Sequence, residues 1–374
     1  MTPAITFTLY IARRFLGSAL ILLVALTLLV SLFDFVELLR RAAGRPEANF
    51  GIVATIAALR MPFIAMQLLP FAILLGGMLA FWRLARGSEL IVARAAGISA
   101  FAFLAGPTAV ALLTGITAIT AISPLSSAML ARAERLDASF LRAGGGVTAL
   151  AGGRLWLRQA DAGIEPGGLA TLTGRPARLL GTDRADFVMT EVTVWRLSRQ
   201  DQPLQRLEAP RARLTGGNWL LEDVTMFQTG RPLPSQHPSI TLPTILTPDR
   251  IEDSVASPDT LSFWALPGFI ELLEQSGFSA LRHRLQLHSM LSTPFLAVAM
   301  ALLAAGFSMR HSRQGGAAAA IATGVAAGFA LYVLDRVTGE FGEAGSLPVW
   351  LAAWAPTAAG LLLALALLLH LEEG

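Results

Sequence analysis

The sequence predicts an α-helical membrane protein with six transmembrane helices and an all-β domain inserted between helices 3 and 4. Three observations support this fold class. Charged residues make up only 15% of the chain and hydrophobic residues 54%, whereas soluble proteins carry roughly 25% charged residues. The charges are absent from six long apolar stretches, and the central part of the chain instead has short runs of strand-forming residues. A soluble enzyme of this length is therefore not expected.

Each of the six uncharged stretches is long enough to cross a bilayer as a helix. A transmembrane helix needs about 20 residues, because each residue adds about 1.5 Å. The stretches are residues 15–33, 61–82, 95–131, 285–309, 314–334 and 344–371. They define three regions: residues 1–131 with spans 1 to 3, residues 132–284 with the β-domain and a connecting helix, and residues 285–374 with spans 4 to 6.

Arginines in the short segments between spans predict the orientation. Six spans place both termini on one side of the membrane, and the arginines expected on that side are Arg13, Arg14, Arg83, Arg86, Arg94, Arg310 and Arg313. Fewer are expected on the other side, namely Arg40, Arg41, Arg45 and Arg336. Because short cytoplasmic segments are enriched in arginine, the termini are expected in the cytoplasm and the central domain outside it.

The central region contains strand-like runs between clusters of Gly, Pro and Asp. The runs are residues 155–159, 187–197, 207–214, 218–227 and 239–246. Gly216 and Gly217 before Asn218 predict a tight hairpin turn. Ser257, Pro258 and Asp259 then predict a return to helix, which continues over residues 269–275.

One run, residues 187–197, is apolar on both alternating faces. The alternation places Val188, Val192 and Val194 on one face and Phe187, Met189 and Trp195 on the other. A strand that is apolar on both faces is buried on both or lines an apolar interior. The core of a small β-sandwich and a groove that holds lipid both fit this pattern.

Residue types missing from the chain exclude several kinds of site. There is no Cys, so thiolate metal sites and thiol nucleophiles are excluded. There is no Lys, so the chain cannot contain the Walker A loop of an ATPase. The histidines show no metal-binding spacing, and residues 132–284 carry equal numbers of arginines and acidic residues. We therefore expect no catalytic residues, no metal, no cofactor and no nucleic-acid partner.

The segment between spans 2 and 3 predicts a short helix over about residues 88–97. Ser88 can cap its first turn, Glu89 suits the positive end of the helix dipole, and Gly97 suits its end. Arg94 lies between them. The helix fits two interpretations: an interfacial helix whose arginines contact lipid headgroups, or a coupling helix that docks into a cytoplasmic motor subunit.

Two arginine pairs lie on the side where arginines are disfavoured. Arg40 and Arg41 follow span 1, and Arg132 and Arg135 lie one helical turn apart after span 3. An anionic ligand at the outer leaflet would explain both pairs. Snorkelling of the first pair, and ion pairs of the second with Glu134 or Asp137, are the alternatives. Gly324 and Gly328 in span 5 permit close helix packing, either within the chain or in a dimer.

Several segments, in order along nearly the whole chain, resemble a known family. They include FDFVELLRR after span 1, SELIVARAAGIS between spans 2 and 3, NWLLEDVTMF in the β-domain, and GFALYVLDRVTGEFGEAGSLPVWLAAWAPT in spans 5 and 6. These segments resemble the LptF/LptG (YjgP/YjgQ) lipopolysaccharide export permeases, and FVELLRR and YVLD are more similar to LptG than to LptF. The resemblance implies a multi-pass protein of the bacterial inner membrane whose inserted domain is a periplasmic, β-jellyroll-like domain.

The resemblance also implies partners and site residues. The partners would be an LptF-like permease, an LptB-like ATPase dimer that uses the ATP, an LptC-like bridge protein and LptA. The implied lipopolysaccharide-binding residues are Arg40, Arg41, Arg132 and Arg135, and Glu89 would contact the ATPase. Asp34 departs from the family pattern, since some relatives carry Lys there, and we expect it to tune the site or to pair with Arg41. An LptF-type paralogue, a lipoprotein-release permease and a non-transporting scaffold that docks periplasmic partners remain alternatives.

Overall fold

A computed structural model describes two compact units. The described residues are 3–43, 49–87, 100–141, 148–151, 154–161, 163–164, 168–177, 187–198, 200, 202–231, 233–244, 246, 251, 257–275, 279–310 and 317–372. The helical unit comprises Met1–Asp137, Ser262–Leu266 and Leu281–Gly374. The β unit comprises Ala138–Leu261 and Pro267–Ala280.

The first three spans are long helices, and the third is interrupted twice. Helix α1 covers Pro3–Ala42 and α2 covers Phe50–Arg86. Span 3 consists of α3 (Ala100–Thr117), a first π-helical segment (Ala118–Ile122), α4 (Ser123–Leu136) and a second π-helical segment (Asp137–Leu141). The start of α2 is fixed by Asn49, whose side-chain oxygen accepts a hydrogen bond from the backbone N–H of Ile52 at 2.9 Å.

The last three spans follow the β-domain. Helix α5, Leu266–Gln275, precedes them, and the spans are α6 (Leu281–Arg310), α7 (Ala317–Glu343) and α8 (Val349–Glu372). The described part of the chain thus contains six helical segments long and apolar enough to cross a membrane, at the positions that the uncharged stretches predict. The prediction of six spans is confirmed.

Glycines allow the helices of this unit to pack backbone against backbone. A Cβ atom added at Gly76 of α2 would lie 2.5 Å from the Cα of Ala19 in α1, and one at Gly115 of α3 would lie 2.5 Å from the Cα of Pro294 in α6. No side chain fits at either crossing. Close approach of this kind is a main source of helix association in membranes, where lipid is as apolar as the helices themselves.

Gly324 and Gly328 of α7 make a similar contact within the chain. A Cβ added at Gly324 would meet the end of the Met78 side chain of α2 at 2.5 Å, and one at Gly328 would meet Leu74. Of the two uses expected for these glycines, packing within one chain is therefore the one present in the described residues.

The β unit contains a seven-stranded antiparallel sheet. Its strands are β1 (Thr148–Ala151), β2 (Arg154–Ala160), β3 (Leu169–Ala177), β4 (Phe187–Leu197), β5 (Pro203–Thr215), β6 (Asn218–Gln228) and β7 (Ser235–Pro243). The all-β insertion is confirmed, but β1 and β3 were not expected. Strand order in the sheet equals chain order, so the described strands form a meander, which lacks the crossing connections of the Greek keys in a jellyroll.

The hairpin between β5 and β6 forms as the sequence predicts. Gly216 and Gly217 have φ values of +58° and +76°, the left-handed conformation that both central residues of a type I′ turn require. Thr215 pairs directly with Asn218 across this turn. The turn therefore sets the register of two of the longest strands.

A β-bulge reverses part of the predicted facing in β4. Glu191 has a φ of 52°, and β4 has one extra residue here against β3, because Thr173 pairs with Thr193 but Arg175 pairs with Thr190. The extra residue brings Met189 onto the same buried core as Val192, although simple alternation had assigned these two side chains to opposite faces. A bulge shifts every side chain beyond it to the other face. Asp223, with a φ of 53°, has the same effect in β6.

The sheet curls so that its two ends approach each other. The side-chain amide of Gln159 in β2 donates a hydrogen bond to the carbonyl of Pro243 at the end of β7 at 3.0 Å, and its oxygen accepts one from the Thr244 hydroxyl at 2.6 Å. Inside the curl lies a core of Leu, Val and Ala side chains around the fully buried Trp219, with Leu273 of α5 packed in it.

Candidate functional site

The predicted lipopolysaccharide-binding residues lie at the end of the helical unit at which α1 stops and α2 starts. Glu37 of α1 accepts two hydrogen bonds of 2.8 Å from Arg40 and one of 2.9 Å from Arg41. The two arginine side chains are nevertheless 75% and 50% exposed. Each guanidinium has five N–H donors, so Glu37 orients the pair and leaves donors available for an anionic ligand.

Asp34 does not pair with Arg41, which corrects one of the two roles expected for it. Its Oδ1 atom lies 3.1 Å from Nη1 of Arg60 in α2. The Nη2 atom of the same Arg60 lies 3.8 Å from Oδ2 of Asp137, which is 1% exposed at the end of α4. One arginine therefore connects three spans. We refer to Asp34, Arg60 and Asp137 as the charge triad.

Arg60 and Asp137 were not among the expected site residues. The sequence did contain a signal for Arg60, because it is the charged residue directly before the uncharged stretch of span 2. A charge at such a position usually anchors a helix end at the membrane surface. Its two partners lie in other helices, and no pattern in the sequence connects them.

Arg132 and Arg135 lie on the outward side of α4. Ala133 and Asp137, one turn apart, are fully buried, whereas Arg132 and Arg135 are exposed. Asp137 contacts Arg60 instead, and within the described residues neither Arg132 nor Arg135 forms a salt bridge with Glu134 or Asp137. The ion-pair alternative for this second pair is thus not present in the described structure.

The two arginine pairs lie on two levels rather than on one. Asp34 and Asp137 both contact Arg60, and α1 and α4 run toward the same end of the unit. At about 1.5 Å per residue, Arg40 lies roughly 9 Å beyond the triad along α1 and Arg135 roughly 3 Å before it along α4. By this estimate the two pairs lie on either side of the charge triad, and we refer to them as the two arginine tiers.

Apolar side chains dominate the outer faces of α1 and α7. Large exposed residues of α1 include Ile21, Leu28 and Phe33, and those of α7 include Phe329 and Val333. In a membrane such faces contact lipid tails or another apolar helix.

The predicted coupling helix at about residues 88–97, with Ser88, Glu89, Arg94 and Gly97, lies outside the described residues.

Comparison with known proteins identifies the family that shares this architecture. Residues 9–370 match the family described as lipopolysaccharide export system permease LptF/LptG. The chain belongs to this family. It is similar to the lipopolysaccharide export system permease protein LptG of Escherichia coli K12, with 28% identity over 96% of this chain and 97% of the relative. It is also similar to the protein of that name from Haemophilus influenzae, with 24% identity over 93% of this chain and 94% of the relative.

Family membership assigns the chain to a transport system. The family match covers the six candidate spans and the β-domain together. It is a multi-pass inner-membrane permease subunit of the lipopolysaccharide export system, and it is more similar to LptG than to LptF.

Proposed function

We propose that this permease is the LptG-type subunit of an ABC transporter that extracts lipopolysaccharide from the inner membrane and passes it to a periplasmic bridge toward the outer membrane. The observation that carries the proposal is the pair of exposed arginine tiers, Arg40 with Arg41 and Arg132 with Arg135, at one end of the helical unit. Phosphorylated headgroups are the anions that such arginines bind best in a membrane protein.

In this proposal the termini are cytoplasmic and the β-domain is periplasmic. The distribution of arginines between the loops supports this orientation. The end of α1 with its arginines then lies at the outer leaflet, which is the leaflet from which the lipid leaves. Negative lipid headgroups at that level offset the free-energy cost of placing arginines on the side of the membrane where they are disfavoured.

The acyl chains require a separate, apolar surface. The exposed faces of α1 and α7 supply it, since Ile21, Leu28 and Phe329 extend along the part of the helices that faces the hydrocarbon core. The arginine tiers and the apolar helix faces together fit an amphipathic lipid. Its anionic groups would bind the arginines, and its acyl chains would lie on the helix surfaces. Each acyl CH₂ group that stays out of water contributes roughly 0.8 kcal/mol.

The proposed assembly has four kinds of partner. An LptF-like permease forms a heterodimer with this chain, an LptB-like ATPase dimer hydrolyses ATP on the cytoplasmic side, and an LptC-like protein, with LptA, receives the lipid. The chain itself holds no cofactor, and the absence of Lys fits this division, because the nucleotide-binding Lys belongs to the ATPase. Glu89, with Ser88, Arg94 and Gly97, would transmit the nucleotide cycle.

Photo-crosslinking to lipopolysaccharide tests the substrate assignment. A photoreactive residue at Val36 of the assembled complex, which is exposed on α1, should crosslink to lipopolysaccharide. The double variant Arg40→Glu and Arg41→Glu should lose most of that signal because the headgroup is repelled. Arg336→Glu, at an arginine that is as exposed as Arg40, is the matched control and should keep it. Unchanged crosslinking in the double variant would exclude Arg40 and Arg41 as headgroup ligands.

ATPase measurements test the transport role against the scaffold alternative. A transporter should show ATPase activity that responds to lipopolysaccharide, whereas a scaffold should show none in complex with its partners. Glu89→Arg should uncouple hydrolysis from lipid release while the permease stays folded. Normal co-purification of the ATPase together with normal lipid release would contradict the role of Glu89.

A further inference from the structure

The charge triad is a buried ionic contact among apolar helices. Arg60 is four-fifths buried, Asp34 three-quarters buried and Asp137 almost completely buried. Two carboxylates share a single guanidinium, and each is reached by a different Nη atom. Arginine suits this position because its planar fork presents separate donors in fixed directions.

The triad also sets how two of these helices are rotated. On α1, Asp34 and Leu38 one turn later both face inward, and Leu38 is fully buried. On α4, Ala133 and Asp137 face inward in the same way, and this leaves Arg132 and Arg135 on the outer side. A contact from Arg60 to both carboxylates thus holds α1 and α4 in the rotation and spacing at which their arginines are exposed.

We propose that Arg60 is a positioning residue that sets the spacing and rotation of the two arginine tiers, and that it does not bind the headgroup itself. The inference rests on the proposed function of those tiers. Both Nη atoms of Arg60 face carboxylates of the chain itself, whereas Arg40, Arg41, Arg132 and Arg135 are exposed. Removing the guanidinium would take away the cation that both carboxylates contact, and with it the ionic link from α2 to α1 and α4.

A distance measurement between α1 and α4 tests the structural part of the inference. The chain has no Cys, so Val36→Cys and Ala128→Cys, both at exposed positions, can carry a pair of spin labels in a complex whose partner subunits have been freed of reactive Cys. Arg60→Met should broaden the label-to-label distance distribution and shift its mean. Arg60→Lys should give an intermediate result, because a single ammonium reaches one carboxylate better than two. An unchanged distribution in Arg60→Met would overturn the proposal.

Lipopolysaccharide binding by the unlabelled complex tests the functional part. Arg60→Met should weaken binding roughly tenfold, which corresponds to about 1.4 kcal/mol, because the arginine tiers are no longer held at the spacing that binds the headgroup. The triple variant Asp34→Asn, Arg60→Met and Asp137→Asn removes the charges together and should recover much of the affinity and the narrow distance distribution. If Arg60 were a headgroup ligand, the triple variant would bind as weakly as Arg60→Met, and the proposal would be wrong.

The same experiments separate this inference from the proposed function. If neither Arg132→Glu with Arg135→Glu nor Arg40→Glu with Arg41→Glu weakens lipopolysaccharide binding, the arginine tiers are not the headgroup site, and the proposed function fails at that point. The spin-label distances would still report whether Arg60 holds α1 and α4 together. If the tier variants lose binding but Arg60→Met changes neither distance nor binding, only the positioning role is refuted.

Discussion

The indole Nε1 of Trp264 donates a hydrogen bond of 3.0 Å to the main-chain carbonyl of Thr120, inside the first π-helical segment of span 3. A second bond lies beside it, from the backbone N–H of Phe263 to the hydroxyl of the buried Ser123 at 3.0 Å. π-Helical segments interrupt the regular helical hydrogen bonds and often mark functional positions. Here one donor of the short stretch Ser262–Leu266 binds the π-helical segment, and a second binds the first residue of α4.

Changes at Trp264 and Ser123 should therefore loosen this attachment. Trp264→Phe keeps the ring next to Phe263 and loses only the donor, and we expect it to destabilise the protein by about 0.5–1.5 kcal/mol. Ser123→Ala should cost about 1–3 kcal/mol, because it leaves the Phe263 N–H without its acceptor. Thermal unfolding of the purified complex measures both. If both variants unfold at the wild-type temperature, these bonds do not hold the segment.

Glu37 competes with an anionic ligand for Arg40 and Arg41. Replacing it by Gln removes the negative charge that strengthens these three hydrogen bonds and should strengthen lipopolysaccharide binding severalfold, with a steeper dependence on salt. Glu340→Gln, whose side chain pairs with Arg336, is the control and should leave binding unchanged. Weaker binding by Glu37→Gln would instead mean that the arginines need Glu37 to stay oriented.

Two ion pairs of the β unit should differ sharply in their contribution to stability. Asp161 is 3% exposed and binds Arg196 with both oxygens, at 2.5 and 3.0 Å. Asp161→Asn leaves a largely buried arginine without its counter-charge and should cost about 3 kcal/mol or more. Glu208, which is 45% exposed and pairs with Arg206, is the matched control, and Glu208→Gln should cost less than about 1 kcal/mol. Equal effects in thermal unfolding would contradict this ranking.

Two glycines of the helical unit provide a similar comparison. Gly76→Ala places a methyl group against the backbone of Ala19, which cannot move away alone, and should destabilise the permease by about 1–3 kcal/mol. Gly324→Ala meets only the flexible end of Met78 and should cost less than about 1 kcal/mol. The yield and melting temperature of each variant in detergent are the measurements. If Gly324→Ala destabilises the permease more than Gly76→Ala does, the Met78 side chain cannot move away from α7 as its flexibility predicts.

Sequence patterns predict the parts of this fold that depend on local composition. The spans follow from the absence of charge, because an unpaired charged side chain in the hydrocarbon core costs several kcal/mol. The β5–β6 turn follows from Gly216 and Gly217, since few other residues adopt their conformation. Strand β3 was missed because it contains Gly174 and Pro176, residues typical of loops, and its pairing with β2 and β4 outweighs that preference.

The candidate site was predicted less completely, because part of it depends on contacts between helices and not on local composition. The exposed arginines could be identified because they break a rule of charge distribution that applies residue by residue. The charge triad joins residues from three spans, and its geometry depends on how α1, α2 and α4 pack. The bulge at Glu191 likewise has no signal in the sequence, and it changes which side chains of β4 enter the core.

The meander of the β unit has a consequence for how the protein is made. Each strand pairs with the strand that was synthesised just before it and the one synthesised just after it, so the sheet can form progressively as the chain emerges. No strand has to wait for a partner encoded beyond α6. The domain can therefore acquire its hydrogen bonds while spans 4 to 6 are still being translated, and the exposed strand edges of an incomplete domain are short-lived.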